Sequence, residues 1–153
     1  QVKAWTRKIR AHALRVMRKL ILCDRNNMPE VKVIKNEDEQ QSIPSVWRPV
    51  FTEIVKHLVS YDYEIRAGLK GVKPVSEDTA KQINEYIDDY GEKLVNLTEE
   101  TWDSSICIWL EDRWDVLIDL RTESEGRSDL VLKAQVTESN QGYLIDIDMV
   151  AVF

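Results

Sequence analysis

The chain predicts an α+β fold: N-terminal helices packed on one face of a C-terminal four-stranded antiparallel β-meander. Two observations carry this. Up to about Asp103 the apolar residues recur at helical spacing, whereas beyond it they alternate with polar ones. Helical segments also come first and strands afterwards, without interleaving. That order favours helices gathered against an antiparallel sheet over a parallel βαβ arrangement.

The first helical pattern is Trp5, Ile9, Ala13, Val16 and Leu20, one face of an amphipathic helix with basic residues around the rest. Residues 1–25 hold Lys3, Arg7, Lys8, Arg10, Arg15, Arg18, Lys19 and Arg25 against Asp24 alone, a balance of +7. The whole chain carries -6, which leaves the remainder at -13. We therefore read residues 1–28 as a basic arm on an acidic body. Packing of its apolar stripe on the body is the preferred role. Contact with nucleic acid or acidic lipid, or the end of a preceding domain, are the alternatives. The chain opens on Gln1 rather than Met, so preceding sequence is expected.

Pro29 and the polar run "NEDEQQS" mark residues 29–43 as a linker in which "VKVIK" can form a short strand. Residues 44–153 make the α+β domain. Its first helix places Trp47, Val50, Phe51, Ile54, Val55, Leu58 and Val59 on one face, with Ser45 as N-cap and Pro49 in the first turn. His57 falls one position off that stripe, at the surface or boundary. Gly68, Gly71 and Pro74 then break the chain. Ser76 caps a second helix, which buries Ala80, Ile83 and Ile87, with Tyr90 near its end, before Gly91 stops it.

Four strands follow. Their inward sets are Ile106, Ile108 and Leu110; Trp114, Val116, Ile118 and Leu120; Leu130, Leu132, Ala134 and Val136; and Tyr143, Ile145, Ile147, Met149, Ala151 and Phe153. Keeping these on one face fixes a register with Ile108 and Leu132 opposite Ile118, and Ile147 opposite Leu132. Arg121 then faces Asp129, and Lys133 faces Leu117 on one side and Asp146 on the other. The open face carries Asp115, Asp119, Asp146 and Asp148 around Lys133, interspersed with Trp109, Leu117, Val131, Leu144 and Val150. A solvated, aggregation-resistant face is one reading. Apolar residues rimmed by acids also suit a surface awaiting a basic partner, and a metal site is a third reading.

No apolar run approaches the roughly 20 residues of a membrane span, and the start lacks the apolar block of a secretory signal. Cys23 and Cys107 are far apart with no CxxC partner, so free thiols in a reducing cytoplasm are expected. Catalysis is not expected. An acid two positions before Lys133 would suit a metal-dependent nuclease, but Val131 stands there. The two histidines, His12 and His57, fall on separate helices, and no Gly-rich phosphate loop is present.

The stretches "WRPVFTEIVKHLV" with a following "DY", "YIDDYG", "TWDSS", "WDVLIDL" and "SEGRSDLVL" resemble a bacterial domain family of unknown function, over about Pro44 to Phe153. The resemblance implies no established activity. Small acidic α+β proteins of this kind are similar to bacterial immunity proteins and antitoxins, which cover a toxin's active site. The expectation is thus a cytoplasmic, non-catalytic binding protein without cofactor. Its acidic sheet face (Asp115, Asp119, Asp146, Asp148, Trp109, Leu117 and Lys133) and its turn acids (Glu123 and Glu125) would meet a basic, nuclease-like protein partner. No direct nucleic-acid or membrane partner is expected. The alternatives are a regulatory or accessory domain of a larger protein, and a metal-dependent hydrolase.

Overall fold

The computed structural model describes residues 30–153. The basic arm lies outside them. Element order is β1 (Gln41–Ser42), α1 (Arg48–Val59), α2 (Glu77–Tyr90), β2 (Leu94–Val95), a short 3₁₀ helix (Glu99–Asp103), β3 (Ile106–Leu110), β4 (Arg113–Thr122), β5 (Gly126–Ser139) and β6 (Gly142–Val152). The α+β class is as expected. The sheet has six antiparallel strands rather than four, in the order β1-β3-β4-β5-β6, with β2 also on β4. The two added strands are each two residues long, too short for any alternation to announce them.

One buried cluster joins Phe51, Ile54, Val55 and Leu58 of α1 and Ile83 and Ile87 of α2 to the even-numbered residues of β4 and β5. Trp47 and Trp114, both fully buried as expected, meet there edge to face at 5.3 Å. The α2 caps are also as read: Ser76 accepts from the Thr79 N–H, and Gly91 takes the left-handed conformation that a side chain would resist. The cap of α1 differs. Trp47 occupies the N-cap position without a side-chain bond, while Ser45 Oγ accepts from Val31 N at 2.8 Å. The stretch read as a linker packs on the domain: Ile43 is in the core, and Ile34 O accepts from Trp114 Nε1 at 3.0 Å. "VKVIK" forms no strand.

Register is where the sequence reading fails, and each failure sits beside a turn or bulge. In the first hairpin Trp109 faces Trp114 and Cys107 faces Val116. The turn is tight: Glu111 takes φ 53°, and Asp112 N–H donates to Leu110 O, a γ-turn. This displaces the expected pairing by an odd number of residues, which flips β3. Cys107 and Trp109 join the main cluster, and Ile106 lies on the opposite face.

The second hairpin pairs as expected from Trp114↔Val136 to Asp119↔Val131, including Leu117↔Lys133. A bulge follows, so Arg121 faces Arg127 instead of Asp129. Buried Ser128 fills the break: its hydroxyl donates to Leu120 O and accepts from Leu130 N. In the third hairpin Lys133 faces Met149, and Asp146 faces Gln135. A bulge at Asp148 inverts the end of β6, placing Val150 in the core in place of Met149 and Ala151.

Candidate functional site

The second face of the sheet is less open than its sequence implied. Ile106, Leu117 and Val131 form a small cluster there with Phe153 packed against it, and all three are buried. Asp119, beside them, is 5% exposed, and the Asp115 side chain is 11% exposed. Each expected acid has a cation nearby. Arg113 Nε lies 3.4 Å from Asp115, Arg127 Nε 3.6 Å from Asp119, Lys73 Nζ 3.8 Å from Asp146, and Lys133 Nζ 3.5 Å from Asp148. Asp115 and Asp119 keep their diagonal places beside Lys133 across β4, Asp148 is the acid within ion-pair distance of it, and Asp146 has moved to face Gln135. Trp109 has left this face altogether, and packs on Trp114 with ring centres 4.4 Å apart and planes tilted by 55°, beneath Lys35. Glu125 is engaged within the domain, where its carboxylate accepts from Tyr90 and Thr122 hydroxyls at 2.8 and 2.9 Å. Glu123 is exposed on the same turn, held by its backbone N–H to Lys93 O.

A different surface presents exposed aromatic and charged groups together. At the end of α1, Asp62 N–H donates to His57 O and Tyr61 N–H to Leu58 O, the two bonds of a Schellman motif. That motif needs a left-handed residue, usually Gly, and here Tyr61 supplies it at φ 62° while 75% exposed. Four residues on, buried Ile65 is left-handed too, at φ 51°. Two bulky residues in this region cost roughly 1–2 kcal/mol each.

Asp62 organises the loop between them. One oxygen lies 3.1 Å from His57 Nδ1, and the other accepts from Arg66 N–H at 3.3 Å. The hydrogen bond from His57, above all, holds this carboxyl below its ordinary value. Tyr63 meets Tyr61 edge to face at 6.4 Å, and burial raises its hydroxyl pKa, with Tyr61 and Asp88 adding to the shift.

This loop and α2 enclose two hollows that share Tyr61, Tyr63 and Asn84. The first, about 460 Å³, adds Asp62, Glu64, Arg66, Glu77 and Lys81 to its lining. The second, about 350 Å³, runs toward Asp88, Glu92 and Lys93. Five acids thus stand against three bases along one groove. Sequence reading missed it because the helical stripe of α1 ends without a glycine to announce the turn. The available signal was "SYDYEIR", two tyrosines flanking an acid at a helix end. Among the described residues no group of three or more His, Cys, Asp or Glu is placed to hold a metal, and no helix is long and apolar enough to cross a membrane.

The fold and groove define a small α+β domain with an aromatic, acid-rimmed cleft at a helix end. The chain belongs to the family described as "Domain of unknown function (DUF7668)", which matches residues 55–153, from within α1 to the last residue. No curated protein and no solved structure matches it.

Proposed function

We propose that this domain is a non-catalytic binding protein of immunity or antitoxin type, which holds a basic segment of a protein partner in the groove between the Tyr61–Arg66 loop and α2. The observation that carries the reading is Tyr61, a large aromatic ring held out to solvent on a backbone that disfavours it. Strain of this kind persists where function repays it. Exposed tyrosine rings accept Lys or Arg by cation–π contact, and the rim acids supply the complementary charge. The acidic excess outside the arm would steer a basic partner toward it.

This moves the interface off the sheet face, where Asp115 and Asp119 are withdrawn from solvent. Helices on a single face of the sheet belong to the same reading, supported by their shared cluster with β4 and β5. So do a bacterial origin and a cytoplasmic location; Cys107, a free buried thiol, suits a reducing compartment.

The test is an NMR titration of the full chain with a short Arg- and Lys-rich peptide. Amides of Tyr61, Tyr63 and Asn84 should shift, and binding should weaken with added salt. Tyr61→Ala combined with Glu77→Lys should weaken binding at least tenfold. Equal affinity in that variant, or shifts confined to the sheet, would remove the groove from consideration.

A further inference from the structure

Asn84 stands at the waist of the groove. Along α2 and its cap, the first hollow is lined from Glu77 to Asn84 and the second from Asn84 to Gly91. Tyr61 and Tyr63 line both hollows from the facing loop. Acids outnumber bases in each, three to two in the first and two to one in the second. Asn84 is exposed, and among the described residues its side-chain amide makes no hydrogen bond.

The same helix shows what a carboxamide can do here. Two residues earlier, Gln82 donates to the Val150 oxygen and accepts from the Val150 nitrogen. Such a double contact suits a residue in an extended strand, whose N–H and C=O point to the same side. Two positions along a helix rotate a side chain by about 200°. Asn84 therefore offers the same donor and acceptor on the opposite side of α2, toward the loop.

Taking the groove as the binding site proposed above, we infer that its occupant is an extended basic–x–basic segment, and that Asn84 pairs with the backbone of the middle residue. The two flanking side chains of such a segment leave the same face of a strand, about 7 Å apart. The midpoints of the two α2 walls are separated by about 10 Å, the rise of seven helical residues. Arg and Lys are long enough to splay over the difference, one into each hollow, where Tyr61 and Tyr63 offer ring faces. A helical segment would leave Asn84 unpaired, because its backbone groups are bonded within the helix.

The experiment titrates the full chain, followed by NMR, with a short capped peptide carrying Arg-Ala-Arg and with the same peptide N-methylated at the alanine. The methyl group removes the backbone donor that faces Asn84 and leaves both charges in place. On the wild type, N-methylation should weaken binding at least tenfold. Asn84→Ala, which removes an exposed and unbonded side chain, should weaken the unmodified peptide by a similar factor. N-methylation should then cost that variant less than twofold more, because both changes remove one contact. The inference is overturned if N-methylation costs as much in Asn84→Ala as in the wild type, or costs nothing in either. Shifts at Tyr61, Tyr63 and Glu77 would in that case leave a groove that reads charge alone. If neither peptide shifts those residues, the inference falls together with the groove.

Discussion

The side-chain amide of Gln82 pairs with both backbone polar groups of Val150. Its Nε2 donates to Val150 O at 2.6 Å, and its Oε1 accepts from Val150 N at 3.3 Å. A helix residue thereby acts as one more rung on the outer edge of β6. Farther along the same strand, Ile145 exchanges two backbone bonds with Gly71 and Lys73, each 2.8 Å. Open strand edges invite pairing with other chains, and here the edge is occupied at two points.

Gln82→Ala should therefore cost about 1–3 kcal/mol, since it strands a donor and an acceptor that are partly buried. Urea melts would measure it, and the Val150 amide should exchange faster. A loss under about 0.5 kcal/mol would mean that water replaces the amide without penalty.

Trp47→Ala and Trp114→Ala should each destabilise by about 3–5 kcal/mol, because both rings are fully buried and pack on each other. Trp114→Phe separates the ring from its hydrogen bond. It keeps an aromatic surface but leaves Ile34 O without its donor, at a cost of about 1–2 kcal/mol. If Phe is as damaging as Ala, the hydrogen bond to Ile34 rather than the aromatic surface dominates.

Tyr61→Gly should hold or raise stability, by up to about 1 kcal/mol. Relief of the left-handed tyrosine outweighs the extra freedom of glycine in the unfolded chain. Binding of a basic peptide should nonetheless fall. A destabilisation above about 1 kcal/mol would show that the exposed ring contributes to folding rather than recognition.

Burial pushes the Cys107 thiol up to about 12, from an ordinary 9.0. A raised folded value means stability that is complete below pH 9 and drains away as pH rises toward 12. Cys107→Ala should flatten this alkaline limb of the stability profile. At the acid end the sign reverses for Asp62. Its carboxyl is held below 3.8, so its contribution exists above that pH and is lost as pH falls through the folded value. His57→Gln should return the Asp62 carboxyl toward its ordinary titration in a carbon-detected NMR experiment. An unmoved titration would assign the shift to the Arg66 N–H instead.

The α+β class, both α-helices, the caps of α2 and the burial of Trp47 and Trp114 were legible in the sequence. Each depends on periodicity or on a capping residue acting within one turn, so local chemistry suffices. Alternation also located all four long strands, and the central pairing of Leu117 with Lys133 followed from it. What alternation cannot count is a residue gained or lost at a turn. The γ-turn at Glu111, the bulge filled by Ser128 and the bulge at Asp148 each reset the register. Those resets moved Trp109 into the core, took Asp146 away from Lys133 and brought Val150 inward.

The candidate site was less legible, for a related reason. A left-handed tyrosine carries no sequence signature, because the conformation is imposed by the Schellman bonds and by the packing of Ile65, five percent exposed beneath the loop. The groove then requires α2 to lie across from residues more than ten positions away in the chain. The sequence by itself determined which segments are helix and which are strand, since backbone preference and side-chain period act over neighbours. Tertiary structure alone decided which charged residues meet and which stay in water, since those distances depend on turn geometry summed across several strands.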